Sequence, residues 1–337
     1  MSESELQVLS SLPEGFLQCG SRDLYKVLGG PTLIHLPGSQ PGPPLFICTL
    51  LHGNETTGIE ALQVILERYG GCPPRPVSIF IGNVSAAQYG ERFLSGQPDY
   101  NRIWAGGQSY ESQSHEYMTA RRVLELMKEL EVCACIDIHN NTGRNPHYAI
   151  IATRETPHLA LARKFSDRVV YATYPDTSCS VAFSGLCPSI TVEAGVVGDA
   201  SGVDHVLSFL GACFESDVWL EQDLHDIDLY HTVAVVRIRD DCSVGLLGEN
   251  TDVELLPDVD RFNFNMLRPG TKLGIARNGS GACLTVQTDD SDIVLSDYLE
   301  IVDGELRTAR RIMPAMLTTD CDIIKMDCLC YLMERLG

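Results

Sequence analysis

Six short apolar runs, at residues 32–35, 45–50, 77–82, 133–138, 148–152 and 190–193, do most to limit how this chain can fold. Each has strand length, and several are separated by helix-period segments at 57–69, 116–130, 158–166 and 203–220. In the 116–130 segment Met118, Val123, Leu124, Leu126, Met127 and Leu130 recur as a helical stripe beside charged positions. Strands alternating with helices predict an α/β layer architecture with a mixed, largely parallel sheet flanked by helices. Ligands of such sheets bind in the crevice beyond the carboxyl ends of the strands. The stretch 38–44, rich in Gly and Pro, reads as a connector between two strands.

The pattern changes near residue 223. Residues 231–239 alternate like a half-buried strand, and short apolar runs broken by turn signals follow. Asn278-Gly279 and Asp303-Gly304 are hairpin-turn candidates. The expected organisation is a catalytic α/β domain over 1–227 and a smaller, mostly β domain over 228–337.

Two strand ends carry metal-ligand chemistry. The run ending at Leu50 is followed by His52-Gly-Asn-Glu55, and Asp137-Ile-His139 closes the run from Cys133. Two imidazoles and a carboxylate form the ligand set of a catalytic zinc site, which keeps a fourth position for water. Gly53 allows a tight backbone there, and Asn54 or Thr56 is placed to cap the following helix. Asp137 is a candidate to orient an imidazole. The plainer alternatives are an acidic residue at a helix start for Glu55 and a His bonded to a backbone carbonyl for His139. Glu193 ends a β-branched run before Gly195, so it is either a proton-transfer group or a solvated strand-end carboxylate. Arg92, Asn101 and Arg102 lie in a turn-rich segment; arginines there can grip a carboxylate or an oxyanion, or simply face solvent.

The net charge of -20 argues against nucleic acid or an anionic membrane as partner, and an anionic substrate must meet clustered arginines. The N-terminus lacks the basic and apolar regions of a signal peptide, and no apolar run is long enough to span a bilayer. The 13 cysteines lack finger spacing and are expected as reduced, mostly buried thiols in a cytoplasmic protein.

Taken together, His52-Gly-Asn-Glu55, Arg92, Asp99-Tyr-Asn-Arg102, Asp137-Ile-His-Asn140 and Thr191-Val-Glu-Ala-Gly195 resemble the succinylglutamate desuccinylase/aspartoacylase family, a branch of the zinc carboxypeptidase (M14-like) fold. The motifs stand in the family's order across about residues 45–200. The resemblance implies one zinc per chain on His52, Glu55 and His139, with Glu193 as general base. It also implies Arg92 as carbonyl polariser, Asn101 with Arg102 as the clamp on a substrate carboxylate, and a C-terminal β domain that narrows the site mouth. The segment after His139 departs from the named enzymes, which makes Arg144 and His147 candidates for substrate specificity.

The expected activity is zinc-dependent deacylation of an N-acyl amino acid or a related small amide. The rivals are a zinc carboxypeptidase acting on peptides and a catalytically silent small-molecule binder. A closed structural zinc site fits less well, because only three ligands are apparent. Homo-oligomerisation, the acyl group and the choice among zinc, iron and cobalt stay open at the level of sequence.

Overall fold

The computed structural model describes residues 6–104, 114–220, 224–277, 283–288 and 294–336. The chain divides into two compact units, Met1–Asn140 with His147–Asp228, and Asn141–Pro146 with Leu229–Gly337.

The first unit is built on strands β1 (Gln7–Leu9), β2 (Thr32–Leu36), β3 (Leu45–Thr49), β4 (Val77–Ile81), β5 (Ala134–Asn141), β6 (Tyr148–Ile151), β7 (Arg168–Tyr171) and β8 (Ser189–Val196). Its helices are α1 (Leu24–Leu28), α2 (Thr57–Arg68), α3 (Val84–Ala87), α4 (His115–Glu129), α5 (Thr156–Phe165), α6 (Cys179–Phe183) and α7 (Ala200–Glu215). The strand order is β1-β2-β4-β3-β5-β8-β6-β7. β3 runs parallel to β4 and β5, while β2 opposes β4 and β6 opposes β8. The sheet is therefore mixed α/β, as the alternation of segments predicts.

Central strands β3, β4 and β5 are buried along their whole length, as strands covered on both faces are. Alternation sorts their side chains. Phe46, Cys48 and Cys135 join Phe80, Trp104, Val123, Met127 and Phe183 in one apolar cluster on the α4 and α6 face. On the opposite face Gly58 lets α2 lie close: a Cβ there would stand 2.3 Å from Thr49 Oγ1 and 3.0 Å from Ile138. Gly202 does the same for α7 against the Ala194 carbonyl, at 2.3 Å.

Several details depart from the sequence reading. α4 buries Glu116, Thr119, Ala120, Val123 and Met127, whereas Met118 and Leu130 are exposed. Val123 and Met127 of the expected stripe are in the core, with Leu124 and Leu126 packed against it, so the stripe holds in its middle and fails at its two ends. The helix expected over 203–220 ends at Glu215; its last part, Val218–Leu220, is a 3-10 turn. β8 continues through Gly195, at φ +79°, to Val196, so that glycine bends the strand without ending it.

The second unit contains β9 (Asp228–Ile238), β10 (Val244–Leu246), β11 (Val253–Leu255), β12 (Lys272–Ala276), β13 (Leu284–Gln287), β14 (Leu299–Val302), β15 (Glu305–Thr308), β16 (Met313–Ala315), helix α8 (Cys321–Met326) and β17 (Cys330–Arg335). β9 lies between β13 and β17, and β16 pairs with β17. A separate sheet has the order β10-β11-β12-β15-β14. Asp303 (φ +51°) and Gly304 (φ +77°) form the two-residue turn between β14 and β15, the left-handed pair that such a hairpin needs. The Asn278-Gly279 turn lies outside the described residues.

Two of the cysteines depart from the expected reduced state. Cys242 and Cys283 form a disulfide with a Cα separation of 5.7 Å, because the end of β9 and the start of β13 bring them together. Cys72 is an exposed free thiol. Among the described residues no helix is long and apolar enough to cross a membrane.

Candidate metal centre

The site begins where β3 ends. Leu50 is fully buried with φ +57°, a left-handed conformation that costs a branched residue roughly 1–3 kcal/mol and is held only where its surroundings require it. The Asn83 N–H, donating to the Leu50 carbonyl at 2.7 Å, is one such restraint. The chain then turns through His52–Glu55, closed by Glu55 N donating to His52 O at 3.1 Å. α2 starts only at Thr57, so the turn before it makes His52 and Glu55 converge. Gly53 is needed for close approach. A Cβ there would lie 2.3 Å from Ala87 N and 2.7 Å from Glu91 O, and its own N–H donates to Arg92 O at 3.0 Å. That contact carries Arg92 to the site.

His139 arrives on β5, with Asp137 on the same face. Donor atoms of His52, Glu55 and His139 all lie within 4.8 Å of one another, and all three residues are buried. Glu55 bridges the imidazoles: Oε1 is 2.8 Å from His52 Nδ1 and Oε2 is 2.8 Å from His139 Nδ1. The far ring nitrogens face other carboxylates. His52 Nε2 is 3.0 Å from Asp99 Oδ1, and His139 Nε2 is 3.0 Å from Asp137 Oδ2. This second contact puts the Asp137 carboxylate against the far side of the His139 ring. Asp99 is a residue that sequence reasoning passed over, although it stands in the Asp99-Tyr-Asn-Arg102 motif.

In the metal-free chain protonated imidazoles can donate to Glu55 through Nδ1; with each Nε2 proton held by its carboxylate, loss of the Nδ1 protons would leave two lone pairs and the Glu55 carboxylate converging on one point, as a cation requires. The surroundings are acidic: Glu55 and Asp99 face the buried Arg92 guanidinium, and Asp137 lies behind His139. The donor set therefore fits a catalytic zinc-type ion.

Electrostatics in the metal-free chain follow from the same contacts. Burial alone would raise Glu55, but His52 and His139 hold it well below the usual carboxylate range. Asp99 is likewise depressed against its burial, chiefly by His52 and then by Arg102 and Arg92. Burial and Arg92 push His52 down, yet Glu55 and Asp99 outweigh them and raise it. His139 is raised well above its ordinary value, because Asp137 and Glu55 outweigh burial.

These shifts predict opposite pH responses with and without metal. The depressed carboxylates contribute stability that is present above about pH 4 and lost as pH falls further. The raised imidazoles contribute stability that is full below about pH 6.5 and lost as pH rises through their higher folded values. An ion replaces those imidazole protons, so the stability it adds grows with pH. The melting temperature of chelator-treated protein should fall above about pH 6.5, while the gap to zinc-loaded protein widens. Parallel curves in the two states would contradict the ligand set.

Asn140, beside His139, ties the site to its neighbours. Its Oδ1 accepts from Thr57 N at 3.2 Å, and its Nδ2 donates to Thr57 Oγ1 at 2.9 Å and Gly195 O at 2.8 Å. The α2 cap therefore comes from β5; Thr56 makes no side-chain cap, and Asn54 Oδ1 has no hydrogen-bond partner. β8 adjoins β5, with Cys135 N donating to Pro188 O at one end of the contact and Asn140 reaching Gly195 at the other. Glu193, buried on β8, therefore lies on the strand beside the one carrying His139.

Arg92 Nη1 contacts Glu55 Oε1 at 3.2 Å, and its Nη2 lies 3.5 Å from Asp99 Oδ2. Asn101 accepts from Cys179 N at 3.1 Å through Oδ1, which leaves Nδ2 3.4 Å from His139 Nε2. Arg102 Nη1 donates to Asn101 O at 3.0 Å. His147 forms a separate group: its ring is 4.4 Å from His205 and it abuts Gly195. Arg144 belongs to the second unit, with its side chain 75% exposed and Nε 3.5 Å from Asp260.

Comparison with known proteins follows the same line. Residues 41–204 match the model of the succinylglutamate desuccinylase/aspartoacylase catalytic domain. Among curated proteins no sequence match was found. Among solved structures, succinylglutamate desuccinylase from Vibrio cholerae is 13% identical with a TM-score of 0.60, over 90% of this chain and 86% of that one. The Chromobacterium violaceum enzyme is 17% identical, with a TM-score of 0.56 over 89% and 86%. Murine aminoacylase 3 is 16% identical, with a TM-score of 0.54 over 89% and 97%. These likenesses speak to the fold; the motifs around His52, Arg92, Asp99, His139 and Glu193 all fall inside residues 41–204, the segment that matches the catalytic domain of the succinylglutamate desuccinylase/aspartoacylase family.

Proposed function

We propose that this chain is a metal-dependent amidohydrolase that frees the amine from an N-acyl amino acid or a related small amide. The carrying observation is the buried His52–Glu55–His139 set, with both Nδ1 atoms turned toward Glu55 and both Nε2 atoms held by carboxylates. A zinc ion held there would supply Lewis-acid polarisation and an activated water at neutral pH.

The chain's own residues divide the remaining work. Glu193 takes the proton of the attacking water and returns it to the departing amine nitrogen. Its support is its burial on the strand next to that of His139. Arg92 donates to the substrate carbonyl oxygen as negative charge builds on it; its support is the contact with ligand Glu55. Arg102, with Asn101, receives the substrate carboxylate, a role suited to a guanidinium fork in a chain of net charge -20. Arg144 and His147 remain the proposed specificity residues.

The test is metal content of the purified chain, with amine release from a panel of N-acyl amino acids before and after chelation. About one zinc per catalytic centre, and activity that chelation abolishes and zinc restores, is the expected result. Preferential cleavage of dipeptides would favour the carboxypeptidase reading. Stoichiometric zinc without turnover of either class would leave a binding role.

A further inference from the structure

A second cluster of ligating atoms lies in the core beside the first. β3 and β5 are parallel, and their register puts Cys48 directly opposite Asp137. Cys179, the first residue of α6, packs onto the same face. The two sulfurs and an Asp137 carboxylate oxygen lie within 4.8 Å of one another, and all three residues are fully buried. Asp137 divides its oxygens: Oδ2 faces His139 Nε2 at 3.0 Å, whereas Oδ1 is buried without a hydrogen-bond partner. The nearest donor is the thiol of Cys48, a weak one, so a carboxylate oxygen buried in this core would gain from a cation.

We propose that Cys48, Asp137 and Cys179 form a second cation site that takes a zinc-class divalent ion. Two thiolates and a carboxylate suit zinc, whereas magnesium and calcium favour all-oxygen shells. Zinc–sulfur bonds of about 2.3 Å in a tetrahedron put sulfurs roughly 3.8 Å apart, so the observed cluster closes with shifts of about 1 Å or less. Cys135, on the same face of β5 two residues before Asp137, has its thiol against Cys179 and is the candidate fourth ligand.

Charge selects the valence. On loading, the Cys48 and Cys179 thiols each release a proton to solvent as their sulfurs bind, and Asp137 contributes a carboxylate oxygen. One dication replaces two protons, so the buried charge does not change. A monovalent ion on the same two thiolates would leave an extra negative charge in an apolar core. Through Asp137 the site would also brace His139.

Cobalt(II) is the probe that separates the two sites. The reduced, full-length chain is stripped with chelator and titrated with cobalt while bound metal and the near-ultraviolet spectrum are followed. Two cobalt ions per chain and a thiolate-to-cobalt charge-transfer band are expected; a site of two histidines and a glutamate cannot produce that band. Cys48→Ser and Cys179→Ser should each remove the band and one equivalent. His52→Ala should remove the other equivalent and keep the band. Alanine replaces serine where a variant does not fold. One cobalt without a thiolate band in the unaltered chain overturns the proposal, as does a band that survives both cysteine substitutions.

Discussion

Glu193→Gln is expected to retain its metal and lose turnover by roughly 10²–10⁴-fold, the range for a missing general acid–base group. Glutamine keeps the size and hydrogen-bonding outline of the side chain, so β8 and its Asn140–Gly195 contact should stay in place. What is lost is the carboxylate's capacity to hold a proton between attack and amine departure. The acidic limb of the kcat/KM profile should disappear with it, because that limb reports the essential base in the free enzyme. Metal content and kcat/KM measured on one preparation settle the matter. Near-normal turnover with full metal would remove Glu193 from the mechanism.

The second large effect would separate the proposed ligand His52 from Asp99, the residue proposed to orient it. His52→Ala removes an imidazole from the centre and should abolish stoichiometric metal binding, and activity with it. Asp99→Asn leaves the ligand but replaces the carboxylate 3.0 Å from His52 Nε2 with an amide. Loss of such an orienting partner typically weakens metal affinity by about 10–100-fold. Competition with a chelator of known affinity distinguishes complete loss from graded weakening. Stoichiometric, tightly held zinc in His52→Ala would refute the ligand assignment. Unchanged affinity in Asp99→Asn would make the His52–Asp99 contact incidental.

Strand ends were the most legible part of the site. His52, Glu55 and His139 stand beside apolar runs that become β3 and β5, and sheet parity alone puts Asp137 on the face of His139. Asp99 was less legible, because its partner is 47 residues away and only the fold pairs them. The α2 cap was hidden for the same reason: local candidates Asn54 and Thr56 lose to Asn140, 83 residues on. The α4 stripe was legible in its middle, where Val123 and Met127 are buried, but not at its ends, where Met118 and Leu130 are exposed. The Cys242–Cys283 disulfide joins positions 41 apart in sequence, whose proximity depends on the pairing of β9 with β13.

By itself the sequence determined the alternation of strands and helices, the segment that carries the family's motifs, and the residue types able to hold a cation. Those properties depend on periodicity and short spacing, which a chain carries wherever its segments come to lie. Only the tertiary structure decided which nitrogen of each histidine faces Glu55, which carboxylates hold the other nitrogens, and that Cys48 stands opposite Asp137. Each of these is a contact between strands or loops distant in sequence, set by register and close packing, and no local pattern encodes it.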